Sequence, residues 1–174
     1  NYTESLMLLL QFLRLLIYLP ISLFCSLRLI FLNKFILVDL DYTLCKNETS
    51  PTSIEKFNYK NLDIEINLDI KEKLMQHNIE GYKTIIFSSR GIRAHIYSKE
   101  WLLKNEINYD AFFHLGFTSL KLIPILMSII FLKNFVLIDD LSDIKDGKLV
   151  KSIIYNYVEL LAEKKFFKWE NPQK

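Results

Sequence analysis

Hydrophobic residues dominate the beginning of the chain, from Leu6 to Leu32. Within this segment, polar side chains recur every three or four positions: Gln11, Arg14, Tyr18, Ser22 and Ser26. That spacing places them along one stripe of a helix, with leucine, isoleucine and phenylalanine over the rest of its surface. The pattern is typical of a helix that lies in a membrane interface with its arginines reaching lipid headgroups. We therefore predict a membrane-associated helix or hairpin over residues 1–33.

The longest uncharged run of this segment is short for a simple membrane span. It covers residues 15–27, thirteen positions, whereas a spanning helix needs about 20 apolar residues. Pro20 lies inside the run and removes one backbone hydrogen bond, so we expect a kink or a division into two arms. Two other interpretations stay open, a cleaved signal peptide and a hairpin buried against a partner subunit. A signal peptide is disfavoured because no small-residue cleavage site follows Leu32.

From Phe35 onward, short apolar strands alternate with segments of helical periodicity. The predicted strands are residues 35–40, 84–87, 111–115 and 135–138, and the predicted helices are residues 68–79, 96–105, 120–132 and 151–167. Residues 45–60 are polar and contain Pro51, which favours a loop or a small flap. The alternation predicts an α/β domain over residues 34–174, with a Rossmann-like, doubly wound, mostly parallel sheet and helices on both faces.

Composition and charge limit which partners and which cellular compartment we expect for this chain. The chain has 174 residues, which is room for one α/β domain and an appendage. A formal net charge of +2 gives no broad basic field, so we expect no nucleic-acid partner. Cys25 and Cys45 form no disulfide framework, and a reducing compartment is the default. We expect the cytoplasmic side of a membrane, or the cytoplasm if the apolar segment does not bind lipid.

Polar and charged residues follow the predicted strands, and functional groups in open α/β sheets gather at such strand ends. After the first strand come Asp39 and Asp41. Ser88 ends the second strand, and Lys121 lies at the start of a predicted helix. The last apolar strand is followed by acidic residues: Asp139, Asp140 and Asp143. Carboxylates that converge in this way repel one another unless a divalent cation lies among them, and oxygen ligands favour Mg²⁺.

The ordered set of motifs resembles that of the haloacid dehalogenase (HAD) superfamily. Residues 38–44, VDLDYTL, are similar to the first motif, DxDxT. Residues 85–88 resemble the second motif, Lys121 the third, and residues 137–140 with Asp143 the acidic fourth. The resemblance covers residues 35 to about 150 in the family's order. It implies a magnesium-dependent phosphatase that acts on phosphate monoesters.

The resemblance also implies a role for each matched residue. Asp39 would be the nucleophile and form an aspartyl phosphate. Asp41 would protonate the leaving oxygen and then activate water. Ser88 and Lys121 would bind the transferring phosphoryl group. Substrate binding is further expected from Thr43, which fixes the turn after the first strand, and from Ser89 and Arg90.

The implied magnesium site draws on the same strand ends. Mg²⁺ would be held by the carboxylates of Asp39 and Asp140 and by the backbone carbonyl of Asp41. Asp139 and Asp143 would orient its water ligands from the second shell.

Short connections between the motifs imply an enzyme of the capless type. About 45 residues separate the first and second motifs and about 31 the second and third, and the core needs most of them. An open site next to an apolar helix favours a lipid-linked, headgroup or sugar phosphate as substrate, and closure by a second copy of the chain would make a homo-oligomer. The alternatives are a non-catalytic HAD-like binding or recruitment module, and a soluble HAD phosphatase whose apolar arm mediates oligomers.

Overall fold

The structure is a computed structural model that describes residues 2–46, 62–145 and 148–172. Most of the predicted loop or flap at residues 45–60 therefore lies outside the described residues. The chain begins with one long helix, α1, which spans Tyr2–Ile30.

A five-stranded parallel sheet forms the centre of the molecule. In chain order the strands are β1 (Lys34–Val38), β2 (Lys83–Ser88), β3 (Ala111–His114), β4 (Asn134–Ile138), β5 (Ser142–Lys145), β6 (Lys148–Lys151) and β7 (Lys168–Glu170). The sheet has the order β3-β2-β1-β4-β7, and β5 and β6 form a separate antiparallel hairpin. The apolar run of β1 lies between β2 and β4, which agrees with the rule that central parallel strands are buried on both faces.

Helices cover both faces of the sheet, which confirms the predicted fold class. They are α2 (Leu68–Ile79), α3 (His95–Lys104), α4 (Leu122–Ile130) and α5 (Tyr155–Glu163), with short 3₁₀ turns at Ile92–Ala94 and Thr118–Lys121. Alternate residues of β1 point to opposite faces. Phe35 and Leu37 therefore join the cluster that includes Cys25 of α1, while Ile36 and Val38 pack with α2 and α3.

Helix α1 runs without interruption through Pro20, so the predicted division into two arms is wrong. Part of its polar stripe faces the α/β domain: Tyr18, Ser22 and Ser26 are buried, while Gln11 and Arg14 are exposed. The Arg14 guanidinium donates to the carbonyl of Gly116 at 3.0 Å, and the Ser22 hydroxyl donates to the carbonyl of Leu120 at 2.8 Å. These two side chains therefore bind backbone carbonyls of the α/β domain, and the expectation that arginines of this helix reach lipid headgroups stays a prediction.

The end of the chain differs most from the predicted elements. The hairpin β5–β6 was not predicted, and the helix expected over residues 151–167 is shorter, because α5 ends at Glu163 and β7 follows. Strand β7 has three residues, KWE, and carries no apolar run that would signal a strand. It adds to the edge of the sheet by pairing in parallel with β4.

Candidate active site

The register of the parallel strands brings their carboxyl ends to one edge of the sheet. Val38, the last residue of β1, pairs with Ile86 of β2 and with Ile138 of β4. The amide of Asp39 continues the ladder by donating to the carbonyl of Ile138 at 3.1 Å. Because the strands end together, the acidic residues after β1 and β4 emerge side by side.

Three carboxylates and one ammonium group form the centre of this edge. Asp39, Asp139 and Asp140 each place a carboxylate oxygen within 4.8 Å of the others, and all three residues are buried. The Lys121 Nζ lies 2.6 Å from Asp39 Oδ2 and 2.8 Å from Asp139 Oδ2. Lys121 is 0% exposed, so it is a buried ion-pair partner and not a solvated lysine at a helix start.

Burial is the main cause of the raised pKa values of the carboxyl groups in this centre. It raises the pKa of the Asp39 carboxyl to about 7, although Lys121 opposes the shift. It also raises the pKa of Asp140, to about 6. Burial acts to lower the pKa of Lys121, but the carboxylates of Asp139 and Asp39 outweigh it and raise that pKa above its ordinary value. The lysine is therefore charged at neutral pH, while the carboxylates lack enough positive partners.

The donor set fits a hard divalent cation. In the described part of the chain, Lys121 forms ion pairs with Asp39 and Asp139, and Asp140 is the third buried carboxylate of the group. One ammonium group beside three ionised carboxylates leaves two negative charges uncompensated. Oxygen ligands and a double positive charge match Mg²⁺. Two oxygens bound to one Mg²⁺ lie about 3–4 Å apart, so small rotations of these side chains would suffice.

Backbone amides and neighbouring side chains fix the acidic residues. The amide of Leu40 donates to Asp39 Oδ1 at 2.8 Å, and the amide of Leu141 donates to Asp139 Oδ1 at 2.7 Å. The Ser142 hydroxyl donates to Asp140 Oδ2, while the amide of Asp140 donates to Thr43 Oγ1 at 3.3 Å. Thr43 thus ties the turn after β1 to the acidic segment after β4.

Asp41 lies in a separate ion pair with Arg90. The guanidinium Nε contacts both carboxylate oxygens, at 3.2 and 3.0 Å, and Nη2 contacts Oδ1 at 2.7 Å. Arg90 is buried, and its Nη1 donates to the Ser98 hydroxyl of α3 at 2.9 Å. A forked guanidinium held at both ends has a fixed orientation. It therefore orients Asp41, and the predicted contact of Arg90 with substrate stays a prediction.

Tyr42 occupies a backbone conformation that favours glycine. Its φ is 56°, in the left-handed region where a side chain costs about 1–2 kcal/mol. The tight turn carries the chain from Asp41 back to the buried Thr43 and Leu44. An aromatic residue is thus held at the turn despite the strain.

Hydrogen bonds join the segments that follow β2 and β3. The Ser88 Oγ accepts the amide of Arg90 at 3.1 Å. Thr118 donates its hydroxyl proton to Asp143 Oδ1 at 2.6 Å, so the hydroxyl of Ser89, 3.1 Å away, donates to Thr118. Asp143 therefore binds the loop before Lys121 and does not belong to the close carboxylate group.

The predicted site residues thus fall into three adjoining groups. Asp39, Asp139, Asp140 and Lys121 form the carboxylate centre, Asp41 and Arg90 form an ion pair, and Ser88, Ser89, Thr43 and Asp143 brace the surrounding turns. Sequence reasoning missed Thr118, Ser142 and Ser98, which bind these residues. Ser142 follows Asp140 by two positions and Thr118 precedes Lys121 by three, and that proximity was the available signal.

No family model matches the sequence, and no curated protein matches it. Two chains of solved structures share the fold. A chain of a Pnkp1/Rnl/Hen1 complex has a TM-score of 0.53 at 17% identity, over 81% of this chain and 46% of that one. A chain of the Pnkp1/Rnl/Hen1 RNA repair complex has a TM-score of 0.52 at 16% identity, over 80% of this chain and 42% of that one. The protein therefore spans less than half the length of these chains.

The likeness to chains of an RNA repair complex corrects one prediction. Nucleic acid was excluded as a partner because the net charge is small, and that exclusion is wrong. Net charge averages over the whole surface, whereas a site that handles one phosphate group needs few cationic groups. Lys121 and Arg90 are two cationic side chains at the sheet edge described above, and each is paired with a carboxylate.

Proposed function

We propose that this protein is a magnesium-dependent phosphomonoester hydrolase that works through an aspartyl phosphate on Asp39. One observation carries the proposal: a fully buried lysine binds the carboxylate of Asp39 at the carboxyl edge of a parallel sheet, beside two further buried carboxylates. Burying that many charges is costly for a purely structural purpose, since apolar side chains fill a core at lower cost. A metal-assisted phosphoryl-transfer site accounts for the arrangement.

The proposed reaction begins at Asp39. One carboxylate oxygen attacks phosphorus, the bond from phosphorus to the ester oxygen breaks, and an acyl phosphate forms. The leaving oxygen takes a proton from a general acid. Water then attacks the same phosphorus, the bond to Asp39 breaks, and inorganic phosphate leaves. The hydrogen bond from Leu40 and the ion pair with Lys121 hold the nucleophile in a fixed orientation.

Asp41 is the proposed acid and base in these two steps. It lies two residues after the nucleophile, and Arg90 holds it by a forked ion pair. Arg90 can share its outer Nη2 with a phosphoryl oxygen as substrate enters, which would loosen its grip on Asp41. The Ser98 hydroxyl would keep the guanidinium in place during that exchange.

Asp39 and Asp140 are the proposed carboxylate ligands of Mg²⁺, with the carbonyl of Asp41. Asp139 is less suited, because it is fully buried, whereas Asp39 and Asp140 each retain some exposure. A bound Mg²⁺ would neutralise negative charge that develops on the phosphoryl oxygens. Asp139 then orients Lys121, and Asp143 fixes Thr118.

Phosphate release from an aryl phosphate, with Mg²⁺ and with a chelator, tests the proposed function. We expect turnover with Mg²⁺ and loss of it with the chelator. Substituting Asp140→Asn should raise the Mg²⁺ concentration needed for half-maximal rate by at least about tenfold, since it removes one charged ligand. The variant Asp143→Asn should change that concentration much less, because Asp143 binds Thr118.

The same assay separates the enzyme from a non-catalytic binding module. A binding module would bind Mg²⁺ or a phosphorylated partner without turnover. Wild-type protein that binds Mg²⁺ in calorimetry but releases no phosphate from any substrate would end the proposal of an enzyme.

The substrate class is proposed from the short connection between the strands β2 and β4. Every residue between β2 and β4 is described and belongs to α3, β3, α4 or their connections, so no cap domain is inserted there. We propose a capless enzyme with a large substrate. A panel of lipid, sugar and RNA terminal phosphates would identify it, and RNA is included because the similar chains come from an RNA repair complex.

We further propose that the first half of α1 inserts into one leaflet of a membrane. Within the helix Ser5–Ile30, an 18-residue stretch has a mean hydropathy of 2.0, and 11% of that stretch is buried. The exposed apolar part, Leu6 to Ile17, faces solvent on all sides, which is unlike an amphipathic helix. Its length is about 18 Å at 1.5 Å per residue, short of the roughly 30 Å hydrocarbon core. Insertion to part of that depth fits, because Arg14 and Tyr18 bind the domain.

Liposome flotation tests the membrane proposal. We expect the protein to float with vesicles and the double variant Leu9→Lys, Phe12→Lys to lose binding by at least about 100-fold, since each lysine costs roughly 3 kcal/mol in hydrocarbon. Ile79→Lys is the matched control, because Ile79 is also exposed but lies on α2. A wild type that stays below the vesicles and sediments as a discrete oligomer would favour the oligomerisation arm instead.

A further inference from the structure

Tyr18 of α1 lies between two loops of the α/β domain. Its hydroxyl accepts the amide of Ile92 at 2.9 Å, in the loop after β2. Its ring packs on the loop after β3, with Phe117 edge-on at a centroid distance of 6.3 Å. Tyr18 is buried, so one side chain of the N-terminal helix joins both loops in the interior.

Both loops have a glycine where Tyr18 approaches. A Cβ at Gly116 would lie 2.4 Å from the Tyr18 ring, and Gly116 has a φ of 72°. A Cβ at Gly91 would lie 3.0 Å from the Tyr18 hydroxyl. The loop backbone therefore approaches the Tyr18 ring at Gly116 and the Tyr18 hydroxyl at Gly91 more closely than a side chain there would easily allow, and the tyrosine contacts both loops.

Two neighbours on the same helix stripe bind the second loop again. Arg14 donates to the carbonyl of Gly116 and lies 4.7 Å from the centre of the Phe117 ring. Ser22 donates to the carbonyl of Leu120, the residue before Lys121. The helix thus holds the whole 3₁₀ segment that delivers Lys121 to Asp39.

We infer that Tyr18 is a positioning residue for the active site, through which α1 sets the relative placement of the loops that carry Ser88 to Arg90 and Thr118 to Lys121. The inference rests on the proposed function, since those loops are the proposed binding elements for the phosphoryl group. The bond between Ser89 and Thr118 spans the two loops directly, so a shift of one loop relative to the other breaks it. Catalysis by positioned groups falls steeply with small displacements.

Because Tyr18 lies on α1, it connects the candidate site to any partner or membrane that α1 binds. The residues of α1 from Ser5 to Ile17 are all exposed, and Tyr18 is the first buried residue along the described part of the helix. A displacement of the outer half of the helix would therefore reach both loops through Tyr18, and the second loop also through Arg14 and Ser22. The exposed first half of α1 and the residues that bind the two loops belong to one uninterrupted helix.

The variant Tyr18→Phe tests the inference, because it keeps the ring over Gly116 and removes the bond to Ile92. We expect kcat/KM for an aryl phosphate to fall about fivefold, as for loss of one buried hydrogen bond, with the Tm nearly unchanged. Tyr18→Ala should lower it by about 100-fold. Amide exchange in residues 88–92 should become faster in both variants. Tyr155→Phe is the control, since its buried hydroxyl also accepts a bond from nitrogen, 3.3 Å from Asn171.

Measurements of amide exchange and of turnover together distinguish failure of this inference from failure of the proposed function. Unchanged amide exchange in residues 88–92 of Tyr18→Phe overturns the inference even if no substrate is ever turned over. Unchanged kcat/KM in both Tyr18 variants, or an equal loss in Tyr155→Phe, also overturns it. Absence of turnover in the wild type counts against the phosphatase proposal alone.

Discussion

Replacing Asp39 with asparagine is expected to lower the rate of phosphate release by at least about 10⁴-fold while the fold survives. The amide has nearly the same shape as the carboxylate, but it is a poor nucleophile and cannot form the acyl phosphate. The free energy of unfolding should change little. Burial already raises the pKa of Asp39 to about 7, so a neutral side chain removes an unfavourable buried charge, while Lys121 keeps its partner Asp139.

Phosphate release at saturating Mg²⁺ and a thermal melt of the same preparation check this expectation. Asp69→Asn is the matched control, because Asp69 is an exposed carboxylate on α2. Wild-type turnover by a folded Asp39→Asn protein would exclude a covalent mechanism at this position. Equal losses in both variants would point to an unspecific effect.

The fold could be predicted from the sequence because its central strands are buried on both faces. Residues 35–38, 85–87 and 135–138 are apolar without a break, and burial of this kind leaves a plain signal. Strand β7 lies at the sheet edge, and its three residues carry no such signal. Strand β6 is largely exposed, so burial does not constrain its pattern either.

The polar stripe of α1 illustrates what periodicity cannot decide. The spacing of Arg14, Tyr18 and Ser22 identifies one face of a helix, but lipid headgroups, water and backbone carbonyls all accept hydrogen bonds. The structure pairs that face with the carbonyls of Gly116 and Leu120. Those partners lie about 100 residues away along the chain. A local pattern contains no information at that range.

Part of the candidate site could be predicted from the sequence for a similar reason. The acidic residues follow their strands directly, so the parallel register determines that they meet. The ion pair of Asp41 with Arg90 was not predicted, because it depends on how the segment after β2 turns toward Ser98 of α3. The positive φ of Tyr42 was not predicted either, because an aromatic residue gives no sign of a left-handed turn.

Replacing Lys121 with methionine is expected to have the second large effect, on stability as well as on rate. The side chain keeps its length, but Asp39 and Asp139 lose their shared cation, and unpaired buried carboxylates cost about 3–5 kcal/mol. The rate of phosphate release should fall by about 10²–10³-fold, because a charged donor to the phosphoryl oxygens is gone.

Mg²⁺ should restore part of the stability lost in Lys121→Met. Such a restoration would show that the loss of positive charge is what destabilises the variant. A divalent cation among Asp39, Asp139 and Asp140 would supply positive charge that the substitution removed, so the variant gains more from Mg²⁺ than the wild type does. Urea unfolding with and without Mg²⁺ measures both effects, with Lys99→Met on the exposed surface of α3 as control. Equal stabilisation of wild type and Lys121→Met by Mg²⁺ would mean that the cation binds elsewhere, because the lysine and the metal could not then be compensating the same carboxylates.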